Sequence, residues 1–282
     1  MPGTLVLCAT PIGNLGDTSP RLLEVLAKAD VIYAEDTRRA GRLLRRHAID
    51  RAPRSYFVGN ETERAVQLRD ELANGMTVAL LTDAGTPSVS DPGLSAVRAA
   101  LAVGAAVTTV AGPSAVTAAL AVSGLPADRF VFEGFLPRSG SGRTAVLAAL
   151  ADEQRTSVIF SSPRRIGSDL GDLEATLGGE RRVVVVRELT KLHEEVWRGT
   201  LEEAASRWAD GTKGEVTLVV EGAEEPVPDL DAALKEVGRL VADGLSRSEA
   251  VRLVATTHRV SRRRLYEMAT RRKPEDRLGV ED

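Results

Sequence analysis

Cysteine is nearly absent from this sequence, and histidine is scarce. The single cysteine, Cys8, lies within an apolar run, so no disulfide can form within the chain, and a reducing cytoplasm is the expected location. His47, His193 and His258 lie far apart, and no two of them share a helical face at a spacing of three or four residues. We therefore expect no metal site.

Long apolar runs and several well-known motifs are also missing. The first apolar run, residues 5–9, is shorter than a membrane span or a signal-peptide core, and no basic residue precedes it. We therefore expect no membrane association. The chain has no GxxxxGK loop and no G-x-S-x-G elbow, and the pair Gly13 and Gly16 lacks the first glycine of GxGxxG. Phosphate-loop, dinucleotide and serine-hydrolase functions are thus weakly supported.

A strong net charge is missing as well. The formal charge is -3 over 282 residues, which argues against a protein that coats nucleic acid indiscriminately. The length favours two domains and an appendage. We predict two α/β domains, residues 1–112 and 113–224, followed by a basic, helical appendage of helix-turn-helix type at 229–282.

What the sequence does have is a regular alternation of short apolar runs with amphipathic segments. The predicted strands are residues 4–9, 31–34, 54–58, 78–81, 106–110, 130–133, 157–160, 182–187 and 215–221. The alternation in the first half predicts a mostly parallel sheet with helices on both faces, and a second alternating series begins at residue 130. Asp91 and Pro92 are read as the N-cap and first residue of a helix that runs to about residue 103. Three short helices, residues 231–243, 247–256 and 262–270, are predicted in the appendage.

Four junctions between a strand and the following loop share one design. They are residues 10–14, 35–37, 82–87 and 111–114, most of them built from small and turn-forming residues. Small side chains let the backbone approach a ligand, and the N-terminus of the next helix offers free amide donors. Each junction alone is explained by a capped turn, but four together favour a ligand cleft at the carboxyl edge of the sheet.

Acidic and basic side chains meet at two strand ends in the second half. Residues 187–191 read Arg-Glu-Leu-Thr-Lys, and residues 213–215 read Lys-Gly-Glu. Such groups can position a hydroxyl and accept its proton, or can form a structural ion pair across neighbouring strands. Composition leaves both interpretations open.

Arginine is clustered in two places on this net acidic chain. The clusters comprise Arg38, Arg39, Arg42, Arg45, Arg46, Arg51 and Arg54, then Arg247, Arg252, Arg259, Arg262, Arg263, Arg264, Arg271, Arg272 and Lys273. Such clustering favours two basic faces for a polyanion, although a solvated helix face competes with that interpretation, above all for the first cluster.

Several motifs together resemble the tetrapyrrole methylase superfamily of S-adenosylmethionine-dependent methyltransferases. They are Thr10-Pro11-Ile12-Gly13-Asn14-Leu15, Ala34-Glu35-Asp36-Thr37-Arg38, Asn60-Glu61, Asp83-Ala84-Gly85-Thr86-Pro87 with Ser90-Asp91-Pro92-Gly93, Gly112-Pro113-Ser114, Phe132-Glu133-Gly134-Phe135-Leu136-Pro137, Arg187-Glu188-Leu189-Thr190-Lys191 and Lys213-Gly214-Glu215. Within that superfamily they resemble the branch that methylates the 2'-hydroxyl of a cytidine in the decoding centre of 16S ribosomal RNA.

This resemblance implies a two-domain class III methyltransferase fold, a homodimer, and the small ribosomal subunit with its 16S RNA as the partner. It places S-adenosylmethionine against Pro11, Asp83, Gly85, Thr86, Ser90, Asp91, Pro113, Ser114 and Leu136. Positioning or general-base roles fall to Glu188 and Lys191, with Glu215 and Asn60 as further candidates. RNA contacts are expected from Arg38 and Arg39 and from Arg262, Arg263 and Arg264.

The sequence departs from that branch in two places. Gly59 stands where a histidine often precedes the Asn-Glu pair, and Ser161-Ser162-Pro163-Arg164-Arg165 replaces a common Glu-Ser-Pro-His-Arg. No catalytic histidine is available at either place, and Arg164 and Arg165 are candidates to contact RNA phosphate instead. Two other hypotheses remain open: a tetrapyrrole C-methyltransferase, which the arginine clusters fit poorly, and a non-catalytic RNA-binding assembly factor.

Overall fold

A computed structural model describes residues 1–224, 229–258 and 260–271. Residues Met1–Ala223 form one compact unit, and Glu224–Asp282 form a second. Three members of the second arginine cluster, Arg259, Arg272 and Lys273, lie outside the described residues.

The first half of unit one is built on a parallel sheet with strand order β3-β2-β4-β1-β5. Its strands are β1 (Thr4–Cys8), β2 (Val31–Ala34), β3 (Arg54–Ser55), β4 (Thr77–Leu81) and β5 (Ala106–Val110). The helices between and after them are α1 (Pro20–Lys28), α2 (Thr37–Arg46), α3 (Glu61–Ala73), α4 (Leu94–Ala102) and α5 (Ala115–Ser123), and a 3-10 turn covers Leu15–Asp17. The sequence predicted each of these strands, although β3 is shorter than expected.

Alternate residues of the central strands enter two separate cores. Ala79 and Leu81 of β4 pack with leucines of α1 and α2, whereas Val78 and Leu80 pack with leucines of α3 and alanines of α4. Because side chains alternate across a strand, these two cores lie on opposite faces of the sheet. Helices therefore cover both faces, as predicted, and both faces of β4 are buried.

The second sheet of unit one is mixed, with strand order β6-β7-β10-β8-β9. Its elements are β6 (Phe130–Phe135), α6 (Gly140–Asp152), β7 (Thr156–Ser161), α7 (Ile166–Leu177), β8 (Arg182–Arg187), β9 (Glu195–Thr200), α8 (Leu201–Arg207) and β10 (Val216–Val220). Only β6 and β7 pair in parallel in this sheet, whereas every pair in the first sheet is parallel. Strand β9 was not predicted, because this edge strand carries Glu195, Trp197 and Arg198 instead of an apolar run. A division of the unit into domains near residue 112 stays a prediction.

The start of α4 differs from the sequence interpretation. The helix begins at Leu94, and its N-cap is Gly93 with a φ of 152°. A Cβ at Gly93 would lie 3.0 Å from the backbone nitrogen of Ser88, so the close approach of the two chain segments depends on glycine. The prediction that Asp91 caps this helix is therefore wrong, and the Asp91 side chain is available to the loop that precedes the helix.

Unit two is helical where the structure describes it. Helices α9 (Leu230–Ala242), α10 (Arg247–Thr257) and α11 (Arg262–Arg271) match the predicted segments within a residue or two. They share a core that includes Val237, Val251, Val254 and Leu265. The predicted capping box of Ser246 and Glu249 is present at the start of α10. Within the described residues, no helix combines the length and the apolar character needed to span a membrane.

Candidate functional site

The loops that follow β1 and β4 are joined to each other at the carboxyl edge of the first sheet. The amide of Thr10 donates to the Gly85 carbonyl at 2.9 Å, and the amide of Gly85 donates back to the Thr10 carbonyl at 3.0 Å. The Thr10 hydroxyl also donates to the carbonyl of Thr82 at 3.1 Å. These bonds hold the two predicted ligand loops in one rigid arrangement.

A cleft of about 1,050 Å³, measured with its open mouth, lies between these loops and the second sheet. We call it the donor cleft, because the sequence predicts a methyl donor against several of its residues. Five of the residues predicted to contact S-adenosylmethionine line it: Gly85, Thr86, Ser90, Asp91 and Ser114. Residues from the ends of β6, β7 and β10 complete the wall, including Phe135, Phe160, Ser161 and Thr217. The cleft thus brings together segments that lie far apart in the sequence.

The other four predicted cofactor residues lie elsewhere. Pro11 and Asp83 line a neighbouring open cavity of about 1,010 Å³, measured with its mouth. We call it the acceptor cavity, because the sequence predicts that Lys191, which also lines it, positions the methyl acceptor. Pro113 and Leu136 line neither space. Leu136 is only 3% exposed in the core of the second sheet, and its carbonyl accepts a hydrogen bond from Arg165.

Asp91 is the carboxylate that the altered start of α4 leaves in the donor cleft. Burial, together with the negative charges of Glu35 and Asp83, raises the pKa of Asp91 to about 7. Glu35 follows β2 and accepts a hydrogen bond from the amide of Asp83 at 3.3 Å, and burial raises its pKa as well. The carboxyl edge of the sheet is therefore an acidic environment whose charge changes near neutral pH.

Lys191 is held by two carboxylates where the two spaces meet. Its ammonium group donates to Glu188 Oε1 at 2.7 Å and to Glu215 Oε2 at 3.0 Å. Glu215 lines both the donor cleft and the acceptor cavity, and Lys191 lines the acceptor cavity. The sequence left open whether these residues form a site or an ion pair. In the structure they form an ion-pair network that faces open space.

The charges in this cluster have a definite sign at neutral pH. Burial disfavours the charge on Lys191, but the hydrogen bonds to Glu188 and Glu215 outweigh that effect and raise the pKa of Lys191. The hydrogen bond from Lys191 lowers the pKa of Glu188 against the opposing effect of burial. Lys191 is therefore a donor and not a base at neutral pH, and Glu188 is a carboxylate.

The position of this cluster depends on two glycines. A Cβ at Gly13 would lie 2.9 Å from Lys191 Cε, so the lysine stem passes directly over the loop that follows β1. A Cβ at Gly214 would collide with Cγ and Cδ of Glu188, and Gly214 has a φ of 87°. Glu188 Oε1 also accepts the amide of Glu215 at 2.8 Å. The motifs 10–15, 187–191 and 213–215 thus meet at one point.

Asn60 lies apart from that point and lines neither space. Its side-chain oxygen accepts the amide of Phe57 at 2.8 Å, and its side-chain nitrogen donates to the Ser55 hydroxyl at 3.0 Å. These bonds close the turn after β3. A catalytic role for Asn60 stays a prediction.

The predicted RNA-contacting arginines have different environments. Arg38 is paired with Asp36, the N-cap of α2, whereas Arg39 lines the acceptor cavity. Arg164 is exposed, but Arg165 points inward and donates to the carbonyls of Leu136 and Pro137. The last group, Arg262, Arg263 and Arg264, is exposed on α11 in unit two, where Arg263 pairs with Glu267.

A buried ion pair behind the donor cleft was not foreseen. Arg143, on α6, donates to Asp169 at 2.9 Å and to the Pro137 carbonyl at 2.9 Å. Asp169 in turn accepts the hydroxyl of Ser161, a residue of the cleft wall, at 2.7 Å. Arg143 also pairs with Asp172 at 2.7 Å. The signal in the sequence was Arg143 itself, an arginine in the first turn of an otherwise Ala-rich and Leu-rich helix.

We expect Asp169→Asn to destabilise the protein by about 3 kcal/mol, since it leaves the buried Arg143 with one carboxylate fewer. The matched control is Asp172→Asn, whose carboxylate contacts the same arginine but is 51% exposed; its expected cost is below about 1 kcal/mol. Urea unfolding of the two variants measures both values. If both variants lose the same unfolding free energy, burial of the Arg143–Asp169 pair does not account for its contribution to stability.

Among the residues the structure describes, no group of three or more His, Cys, Asp or Glu side chains is arranged to hold a metal ion. The cleft and the cavity are instead lined by small residues, larger apolar side chains and the charged groups described above.

Comparison with known proteins assigns this architecture to a family. Residues 4–205 match the model of the Tetrapyrrole (Corrin/Porphyrin) Methylases. The chain is 48% identical over 268 residues to a Mycobacterium tuberculosis (strain CDC 1551 / Oshkosh) protein named ribosomal RNA small subunit methyltransferase I, with 94% of each chain covered. A protein of the same name from Synechocystis sp. (strain ATCC 27184 / PCC 6803 / Kazusa) is 44% identical, over 95% of this chain and 97% of its own.

A solved structure shares the fold at low identity. Diphthine synthase superimposes with a TM-score of 0.60 at 19% identity, over 77% of this chain and 89% of its own. The resemblance carried by the motifs is therefore confirmed, with the class III methyltransferase fold it implied. The chain belongs to the tetrapyrrole methylase family and, within it, to the group of the ribosomal RNA small subunit methyltransferase I proteins.

Proposed function

We propose that this protein transfers a methyl group from S-adenosylmethionine to the 2'-hydroxyl of a cytidine in the decoding region of 16S ribosomal RNA. The observation that carries the proposal is the meeting of a donor cleft and a second cavity at Lys191 and Glu215. A group transfer between two bound molecules needs two such spaces that share a wall. The names of the relatives support RNA of the small subunit as the acceptor.

The residues of the donor cleft fit S-adenosylmethionine. The charged side chains that line it are Asp91 and Glu215, both acidic, and the loops around them are built largely from small residues. When bound, S-adenosylmethionine supplies an electrophilic methyl group on a positively charged sulfur. Gly85, Thr86, Ser90 and Ser114 would hold the cofactor mainly through backbone groups, with Pro11, Asp83, Pro113 and Leu136 as further candidates.

Lys191 and its two carboxylates are assigned to the acceptor hydroxyl. A ribose hydroxyl is a poor nucleophile, so it must be aligned and must lose its proton during the transfer. The protonated Lys191 can donate to the hydroxyl oxygen and fix its orientation. Glu188 is bound to Lys191 and to the amide of Glu215, so it positions the lysine. Glu215, which lines both spaces, is the candidate to accept the proton.

We further propose that the protein acts on RNA as a cytoplasmic homodimer. Arg262, Arg263 and Arg264 form an exposed basic group on α11 that suits contacts to RNA phosphate. Arg38, Arg164 and Arg165 remain further candidates for such contacts. Gel filtration with light scattering tests the dimer, and alanine replacement of the α11 arginines tests the RNA contact.

The decisive experiment combines cofactor binding with transfer. Purified protein should bind S-adenosylmethionine in a calorimetric titration and move its tritiated methyl group to small ribosomal subunits from a strain that lacks this gene. Nuclease mapping of the product should find one new 2'-O-methyl cytidine. Binding without transfer to RNA, together with transfer to uroporphyrinogen, would instead favour the tetrapyrrole C-methyltransferase hypothesis. If the protein binds no S-adenosylmethionine, the hypothesis of a non-catalytic RNA-binding assembly factor is favoured.

We also expect the affinity for S-adenosylmethionine to rise with pH. Asp91 has a pKa of about 7, and a cationic ligand binds its ionised form more tightly. The ionised fraction therefore grows between pH 6 and pH 8, and the dissociation constant should fall by about tenfold over that range. The Asp91→Asn variant should bind S-adenosylmethionine more weakly, and its affinity should not change with pH.

The control, Asp50→Asn, removes an exposed carboxylate that lines neither space, and its affinity should follow the wild type. If the dissociation constant of the wild type does not change with pH, Asp91 does not contact the positively charged cofactor.

A further inference from the structure

The acceptor cavity differs from the donor cleft in that its lining contains cations. Arg39, Arg42 and Lys191 line it together with Asp83 and Glu215, whereas the charged residues that line the donor cleft, Asp91 and Glu215, are both acidic. Because Glu188 and Glu215 balance the charge of Lys191, the positive charge of the cavity is concentrated at Arg39 and Arg42, and that side of the cavity favours an anionic group. The cavity also has apolar lining from Ile12, Leu15 and Leu43.

Two arginines of α2 lie on the same face of the helix and supply most of this positive charge. Arg39 and Arg42 are three residues apart, a spacing that places side chains next to each other on one face. Arg45 and Arg46 lie on the same helix but line neither space. The cavity thus receives a selected pair from an arginine-rich helix.

The neighbouring contacts keep this pair available to a ligand. Arg38 is bound to Asp36 through Nε at 3.1 Å and a terminal nitrogen at 2.8 Å, so its charge is balanced locally. Arg39 lies 3.5 Å from Asp83, at the long end for an ion pair, and half of its side chain is exposed. Within the described residues, Arg42 has no acidic partner within 4.0 Å. Of the three cations that line the cavity, Arg42 is therefore the one whose charge is least balanced by neighbouring carboxylates.

We propose that the acceptor cavity binds the target nucleotide together with the backbone phosphate next to its ribose, with Arg39 and Arg42 on the phosphate. This inference rests on the proposed function and adds the substrate subsite. In a ribonucleotide chain the 2'-hydroxyl and the 3'-phosphate are on adjacent carbons, so a protein that aligns one meets the other. The cavity offers Lys191 for the hydroxyl and arginines for the phosphate within one lining.

Such a contact fixes the register of the strand without reading its sequence. Phosphate contacts carry no base information, so the choice of nucleotide must come from other contacts. Loss of one contact should weaken binding of every RNA to a similar degree and should reduce its dependence on salt.

The test compares Arg39→Ala and Arg42→Ala with Arg46→Ala, which removes the same charge from the same helix but outside the cavity. With small ribosomal subunits as substrate, each cavity variant should raise KM about tenfold, with kcat within threefold and cofactor affinity unchanged. Each should also lower the slope of log affinity against log salt by about 0.7 to 0.9. Arg46→Ala should change KM by less than twofold. Equal effects of all three variants, or wild-type KM and slope in both cavity variants, would overturn the proposal.

A binding experiment tests the phosphate subsite independently of the proposed function. Titration followed by NMR, with S-adenosylhomocysteine present, should show that the wild type prefers cytidine 3',5'-bisphosphate to cytidine, and that Arg42→Ala loses this preference. If the wild type methylates no RNA but keeps the preference, the proposed function fails and the subsite stands. If the wild type binds the two probes equally, the subsite fails even when RNA is methylated.

Discussion

Replacement of Lys191 by methionine should lower kcat for methyl transfer by about a thousandfold and leave the affinity for S-adenosylmethionine within about twofold. Methionine keeps the length and the apolar stem that passes over Gly13 but removes the ammonium group. Removal of one preorganised donor or proton-transfer group from an active site typically costs two to three orders of magnitude in rate. The cofactor affinity should persist because Lys191 lines the acceptor cavity and not the donor cleft.

Single-turnover transfer of a tritiated methyl group measures this rate without product release. Lys28→Met is the matched control, since Lys28 is exposed, pairs with Glu24 and lies on α1 outside both spaces. Its rate should equal that of the wild type. A fall of less than tenfold for Lys191→Met would show that alignment of the acceptor does not depend on this ammonium group.

Gly214→Ala should lower kcat by about a hundredfold, although the substitution adds only an unreactive methyl group. The added Cβ would collide with Glu188 Cγ and Cδ, so Glu188 must move and Lys191 must follow it. A displacement of about 1 Å at reacting groups can cost two orders of magnitude in rate. The positive φ of 87° adds backbone strain to the collision.

Gly104→Ala separates the strain from the collision. Gly104 has a φ of 69°, and a Cβ there would meet no atom within 4 Å. Both alanine variants should lose about 1 kcal/mol of unfolding free energy through strain, and Gly214→Ala should lose more. Only Gly214→Ala should lose activity. Equal catalytic losses in the two variants would show that Gly214 acts through stability alone.

Sequence patterns predicted the first sheet well because its central strands are buried on both faces. Residues 78–81 form a continuous apolar run, and such runs followed by small-residue loops are typical of parallel sheets. The carboxyl ends of parallel strands lie at one edge, so the loops after β1, β2, β4 and β5 were expected to converge on a ligand cleft. In the structure, residues of the loops after β1, β4 and β5 line the donor cleft, whereas residues 35–37, after β2, line neither space.

The parts that sequence reasoning missed depend on contacts between distant segments. Asp91-Pro92 has the local signature of a helix start, but the packing of Gly93 against Ser88 moves that start to Leu94. Strand β9 is stabilised by its pairing with β8, whose residues 183–186 are buried, and its own sequence alternates little. Pairing across a sheet can override a weak local propensity.

Some charged residues of the site could be predicted from the sequence, and others could not. Motif similarity selected Glu188, Lys191 and Glu215, which the structure brings within hydrogen-bonding distance. It could not select Arg42 or Arg143, because one matters through the cavity it lines and the other through the carboxylates it meets in the fold. Side-chain partners at sequence separations of 26 residues or more leave no local pattern.

The backbone strain in the loops of the candidate site would couple binding of the proposed cofactor to protein stability. Ser88 and Ser90, before α4, and Glu188 and Thr190, after β8, have φ values between 50° and 72°, a region that non-glycine residues rarely adopt. At about 1 kcal/mol each, the four residues together cost a large fraction of the net stability of an ordinary domain. A ligand that binds only the strained conformation offsets part of that cost. Replacement of Ser88 or Ser90 by glycine would relieve the strain and raise thermal stability. It would also allow the loop before α4 more conformations, which would weaken selection of the ligand-bound one.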